Sequence, residues 1–226
     1  MSEIPVIAKS LAFRLEALKA AGVAALPIAR RQESSPSSDR ELALQHVAQD
    51  ISACRRCSLY RTRTHPVPGE GHPHARLVFV GEAPGREEDL QGRPFIGAAG
   101  QLLTKMIEAM GLRRQDVYIC NVLKDRPPGN RTPEPEEMAA CVPFLERQLA
   151  IIQPSVICVL GAIAAKALIG PHVAITKIRG RVLDYHGMRL VPTFHPAYLL
   201  RNPPAKKFVW ADLKRVKQLL EEGSKQ

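Results

Sequence analysis

Four apolar runs of strand length, separated by segments with helical spacing, predict an α/β fold. The expected architecture is a three-layer α/β/α sandwich with a mainly parallel central sheet of about four strands. The runs are residues 77–80, 117–122, 156–160 and 190–194, and no internal repeat interrupts the alternation. Each run ends in a residue suited to chemistry or to a tight turn (Gly81, Asn121, Gly161 and His195), as expected where parallel strands deliver their carboxyl ends to one edge.

In chain order, residues 7–25 carry Leu11, Phe13, Leu15, Leu18 and Val23 on an alanine-rich background, the pattern of an amphipathic helix. Residues 32–38 are Gln, Glu, Pro and four serines, a linker composition, so 1–38 reads as an appendage and 39–226 as the domain. Asp39 caps a helix to about Ser52, which leads into Cys54-Arg55-Arg56-Cys57. After the first strand, Leu102, Leu103, Met106, Ile107 and Met110 mark the inner face of a helix over 97–110, ended by Gly111. Further helices are expected over 135–152, with a kink at Pro143, over 162–169 and over 206–221, and a short strand near 181–185.

Among the 226 residues, 45% are hydrophobic, enough for a substantial core, and 32 Lys and Arg stand against 22 Asp and Glu for a net charge of +10. The excess concentrates between Thr176 and Lys217, where ten basic residues face only Asp184 and Asp212, a candidate phosphate-binding face. The start, Met1-Ser2-Glu3-Ile4-Pro5, lacks the basic-then-apolar pattern of a secretion signal. No apolar run approaches the roughly 18–20 residues of a membrane span. A cytoplasmic, nucleoid-associated protein with no membrane partner is the expectation. Five cysteines, an odd number, favour free thiols or metal ligation over a disulfide framework.

The turn Gly81-Glu82-Ala83-Pro84-Gly85 places carboxylates and free backbone amides at a strand end. Alone it fits a tight strand-to-helix connection or a phosphate cradle equally well. It is joined by Arg86-Glu87-Glu88-Asp89, Gly92-Arg93-Pro94-Phe95-Ile96-Gly97, Asn121-Val122-Leu123-Lys124, Arg126-Pro127-Pro128-Gly129-Asn130-Arg131 and His195-Pro196-Ala197. This ordered set resembles the motifs of the family 4, iron–sulfur type uracil-DNA glycosylases, over about three quarters of the chain.

The resemblance implies a monofunctional, monomeric enzyme that flips deoxyuridine out of single- or double-stranded DNA and hydrolyses its N-glycosidic bond to start base-excision repair. Phe95 offers a ring for the base to stack on, with Ala83 beside it. The Asn121 amide donates to uracil O4 and accepts from N3–H, a polarity that cytosine reverses. His195 is placed to hydrogen-bond O2 as negative charge develops there. Glu82, with Glu88 next, is the candidate to orient water or stabilise the sugar cation. The chain departs here from the enterobacterial-type enzymes, having Ala83 and Gly85 where those carry Asp and Tyr. Leu199 is expected as the minor-groove wedge, with Arg201, Lys206 and Lys207 on nearby phosphates.

A [4Fe-4S] cluster is also implied, with Cys54, Cys57 and Cys141 matching three of its ligands. Asp125 stands where the family has the remaining Cys. Three readings are open: Asp125 ligates iron through oxygen, Cys120 swings in, or the cluster is absent and the loop is held otherwise. Cys158, inside an apolar strand, reads as a small buried hydrophobe. Two other functions compete: a catalytically impaired iron–sulfur DNA-binding protein of the same fold, and a nucleotide or phosphoester hydrolase. The second lacks a Walker GxxxxGK[ST] pattern and an evident carboxylate metal cluster.

Overall fold

The computed structural model of the chain describes residues 36–223; the helix expected over 7–25 and the linker as far as Ser35 lie outside them. The centre is a sheet of six strands, more than the expected four: β1 (Glu70–Gly71), β2 (Leu77–Gly81), β3 (Tyr118–Asn121), β4 (Val156–Leu160), β5 (Leu183–Tyr185) and β6 (Met188–Thr193). They lie in the order β1-β3-β2-β4-β6-β5. The four inner strands are parallel, as expected, and an antiparallel strand closes each edge. The strand that sequence patterning misses is β1, whose two residues are too few for any alternation to show.

Eight helices among the described residues join these strands: α1 (Pro36–Ala53), α2 (Arg86–Gln91), α3 (Ala98–Ala109), α4 (Pro135–Ile152), α5 (Ala162–Ile169), α6 (Ile175–Ile178), α7 (Pro196–Arg201) and α8 (Lys206–Glu222). Helix α1 starts three residues before Asp39, because the fixed φ of proline suits a first turn. Helix α4 runs on through Pro143. The short helices α2 and α7 follow Gly85 and His195, and six residues each are too few to show a helical spacing.

Every residue of β2 and β4 is buried, as parallel strands covered on both faces require. On one face Leu77, Phe79, Ile119, Cys158 and Val191 pack with Leu103 and Ile107 of α3 and with Val209, Leu213 and Val216 of α8. On the other, Val78, Val80, Cys120, Ile157 and Val159 pack with Leu145, Leu149 and Ile152 of α4 and with Ala164 and Ala165 of α5. Helix α1 lies outside this second layer and sets Val47 and Ile51 against Phe144 of α4. No helix of the described residues is long and apolar enough to cross a membrane.

A buried carboxylate ties the far strand to α8. Asp212, 3% exposed, receives hydrogen bonds from Thr193 Oγ1 at 2.6 Å and from Arg179 Nε at 3.0 Å, and pairs with a second nitrogen of the same guanidinium. Removing one partner of a buried pair leaves the other charged and unsolvated. Asp212→Ala should therefore lower stability by about 3 kcal/mol or more in urea unfolding, whereas replacing the exposed Arg215 should leave the midpoint where it is.

Candidate active site

The sheet order places β2 between β3 and β4, so successive connections leave β2 in opposite directions and open a crevice at its carboxyl end. There Gly81 is level with Asn121, and Leu160 with Thr193, just before His195. A cleft of about 470 Å³ occupies this edge, lined by Glu82, Ala83, Glu88, Phe95, Asn121 and His195. Six sequence-predicted residues from four separate segments thus meet around one space.

The floor is built on a close approach that only glycine permits. A Cβ on Gly81 would lie 2.4 Å from both Asn121 Oδ1 and Phe95 Cζ, so the strand passes directly beneath the ring and the amide. Phe95 itself has φ 50°, a left-handed conformation that costs energy in a bulky residue. Its backbone lies against Gly100 in the first turns of α3, where a Cβ would come within 1.9 Å of the Phe95 carbonyl. Above this floor the Phe95 and His195 rings are 5.6 Å apart, inclined by 33°. Asn121 is 1% exposed, and its Oδ1 is buried without a hydrogen-bond partner. Leaving an acceptor unpaired costs about 1–3 kcal/mol, which a ligand donor at this point would recover.

The two candidate carboxylates occupy different environments. Glu88 Oε1 accepts from the N–H groups of Ile96 and Gly97, each at 2.9 Å, and Oε2 from Gly85 N–H at 3.1 Å. Its oxygens are committed to fastening the Gly81–Gly85 turn to the Phe95 loop. Glu82 is half-buried, none of the described residues engages its carboxylate, and burial pushes its pKa upward. Of the pair, Glu82 is the one with oxygens free to meet a ligand or a water.

His195 caps α7, and its Nδ1 accepts from the Ala197 N–H at 3.1 Å. A neutral ring that accepts at Nδ1 carries its proton on Nε2, a donor for the cleft. Enclosure of the ring, then the nearby Arg201 charge, lower its pKa to about 4 against a partial offset from Glu88.

One expected contact is corrected. Leu199 is 1% exposed and packs in the core with α3 and α8, so it cannot be the wedge. Tyr198 and Leu200, which flank it on the same short helix, are 37% and 46% exposed. The run 198–200 gave no basis for choosing, because a six-residue helix shows less than two turns of spacing. Arg201 lines the cleft, and Lys206 and Lys207 are exposed beyond it. The cleft is also lined by Pro127, Asn130 and Arg131, which the sequence reading quoted within a motif without assigning them to the site. Their position rests on contacts within the loop and with the start of the next helix: Arg131 pairs with the buried Glu137 of α4 at 2.6 Å, and Arg126 Nε donates to Asn130 Oδ1 at 2.7 Å.

The thiols form a separate corner. Cys57 accepts a backbone N–H from Leu59 and Cys141 one from Lys124, and each is close enough to feel Asp125 and the other's neighbourhood electrostatically. Burial raises both thiol pKa values, that of Cys141 to about 11. Cys54, Cys57 and Cys141 have the thiol chemistry of cluster ligands, and two of them, Cys57 and Cys141, have a backbone amide beside the sulfur. The fourth position does not fit: both oxygens of the buried Asp125 are taken by Arg63 Nη1, at 2.9 and 3.0 Å. Cys120 is no substitute, being packed within β3 beneath Gly69. No three such groups among the described residues converge on a single metal ion.

Residues 68–214 match the family model of the uracil DNA glycosylase superfamily. The chain is 49% identical over 187 residues to a type-4 uracil-DNA glycosylase of Thermotoga maritima, covering 81% of this chain and 97% of that protein. It is 44% identical over 192 residues to the type-4 enzyme of Archaeoglobus fulgidus, covering 81% and 96%. A type-5 uracil-DNA glycosylase of Thermus thermophilus is 36% identical over 119 residues, covering 46% and 54%.

The state of His195 is directly measurable. Nitrogen-detected NMR should show the Nε2–H tautomer at neutral pH and titration near pH 4. Because the folded pKa lies below the ordinary 6.5, the unfolded chain binds the extra proton first, and the residue's contribution to stability is lost as pH falls from about 6.5 towards 4.

Proposed function

The chain belongs to the uracil-DNA glycosylase superfamily, and on that premise we propose that the cleft receives a deoxyuridine flipped out of DNA, with Phe95, Asn121, His195 and Glu82 as its working residues. The protein is a DNA glycosylase acting on uracil in DNA. The observation that carries the assignment of roles is the buried, unpaired Oδ1 of Asn121 beside the Phe95 ring. Uracil presents N3–H to that acceptor and O4 to the amide nitrogen of the same side chain. Cytosine would present a lone pair to Oδ1 and an amino group to an amino group, leaving buried groups unpaired on both sides.

With the base stacked on Phe95 and flanked by Ala83, the N-glycosidic bond lengthens and electron density moves onto uracil. His195 Nε2–H donates to O2, where that charge collects, and the neutral ring does this without a proton-transfer step. The sugar left behind is cationic. The Glu82 carboxylate, free of protein partners, stabilises it and orients the water that attacks C1′. Glu88 acts as a positioning residue, holding Gly85 and the Ile96–Gly97 amides so that Glu82 and Phe95 keep their relation. Lys124, buried and bonded to protein oxygens, offers no amine for a lyase step. On the DNA side, Leu200 and Tyr198 enter the space of the departed base while Arg201, Lys206 and Lys207 meet phosphates. We assign 39–226 as the catalytic domain and 1–38 as an appendage, working as a monomer on the DNA of the nucleoid.

The test is excision from end-labelled single-stranded and U:G duplex oligonucleotides, followed by alkali, with a matched thymine control. Alkali-dependent cleavage confined to uracil is expected. Glu82→Gln should slow excision by about 100-fold or more with DNA affinity nearly unchanged; equal losses of both would remove Glu82 from the chemistry. The pH dependence has a definite sign: protonation of Glu82 abolishes the reactive carboxylate, so the rate falls on the acid side with a midpoint above 4.5. That limb should disappear in Glu82→Gln.

The two leucines of α7 separate cleanly. Leu200→Ala should slow excision from duplex DNA more than from single strands and leave stability intact. Leu199→Ala should instead cost about 2–5 kcal/mol of folding free energy, read by urea unfolding.

A further inference from the structure

Beyond the excision chemistry, the corner around Asp125 has its own logic. Arg63, whose side chain is only 12% exposed, reaches Asp125 with one nitrogen and donates to the Ile51 carbonyl at 3.3 Å with the same nitrogen. Its second nitrogen donates to the carbonyl of Ser52. Those carbonyls belong to the last turn of α1, immediately before Cys54, where the negative end of the helix favours a cation; the Ile51 oxygen also accepts from the Cys54 N–H at 3.1 Å. One guanidinium therefore joins the segment leading to Cys54 to the loop that begins at Asp125.

Two further cross-links join that loop to α4, the helix carrying Cys141. Lys124 is 1% exposed, and its Nζ donates to Gln148 Oε1 of α4 and to the Asn121 carbonyl, each at 2.7 Å. At the other end Arg131 makes a two-point pair with the buried Glu137 of α4. The segments carrying Cys54, Asp125 and Cys141 are thus already bound to one another by buried ionic and hydrogen-bonded contacts. For Asp125 to offer an oxygen to iron, it would have to leave the largely buried Arg63 guanidinium without its carboxylate partner.

We infer that the Arg63–Asp125 ion pair stands in for the fourth cluster ligand, so that Asp125 is not an iron ligand and the 124–131 loop keeps its place without iron.

The test uses the full chain. Protein from iron-replete, anaerobic preparation is compared with protein grown under iron restriction and treated with a chelator, measuring iron and sulfide per chain, visible absorbance and the urea midpoint. The midpoint should be the same in both preparations; a lower midpoint after iron removal overturns the inference. Arg63→Met and Asp125→Asn should each reduce the folding equilibrium constant by roughly 100-fold or more, and the double variant by much less than the product, the signature of a coupled pair. Additive losses overturn it. Iron content should be equal in wild type and Asp125→Asn, whereas loss of iron in Asp125→Asn but not in Arg63→Met would make the aspartate a ligand. Should the single variants fold poorly, Arg63→Lys keeps the charge while losing the fork, and an unchanged midpoint there also overturns the inference. None of these readouts uses excision, so a failed glycosylase assignment leaves a different mark from a failed ion-pair assignment.

Discussion

The site depends on one carboxylate whose oxygens are both spent on backbone amides. Glu88 gathers three backbone N–H groups, from Gly85 on one side and from Ile96 and Gly97 on the other. Charge-assisted bonds to amides are among the stronger ones available to a protein. These fasten the turn after β2 to the loop that must hold Phe95 at positive φ. Without such fastening, a phenylalanine in that conformation would relax towards an extended backbone and its ring would leave the floor of the cleft. The strain at Phe95 and the clearance at Gly81 and Gly100 are then three expressions of one requirement: the ring must lie flat over a strand end at van der Waals distance.

A second layer of support comes from the segment that precedes β2. Thr64 gives both its N–H and its hydroxyl to Asp89 at the end of the same acidic run, each at 2.9 Å. The Val67 N–H donates to the Lys124 carbonyl at 2.7 Å, and the Pro68 carbonyl accepts from Gln148 Nε2 at 2.8 Å. With Arg63 on Asp125, this short stretch runs as a strap across the two loops that carry Glu82 and the 126–131 motif. The active-site loops are therefore held from behind by polar contacts, while their front faces stay open to DNA. Such rigid support suits electrostatic catalysis, which depends on dipoles that are in place before the charge develops.

The inner sheet and its four chemistry-bearing ends were legible in the sequence because strand patterning and turn residues agree: each apolar run closes on Gly81, Asn121, Gly161 or His195. Residues whose role is to hold others were not. Glu82 and Glu88 are the same amino acid six residues apart, and only the fold shows that backbone amides take the oxygens of Glu88 and leave those of Glu82 free. Leu199 and Leu200 are likewise indistinguishable until the packing of α7 against α3 and α8 is known. Asp125 was visible as a departure from a motif, but its partner Arg63 lies 62 residues away, and no local pattern links the two. Strand β1 depends on a pairing across the fold in the same way.

The buried oxygen of Asn121 has a consequence for how the floor discriminates. It sits beside Gly81 and the Phe95 ring and has no protein donor among the described residues. A group that brings a lone pair to that point sets two acceptors against each other, whereas one that brings an N–H completes the floor. Selectivity there is a matter of hydrogen-bond polarity at one atom, not of cavity size.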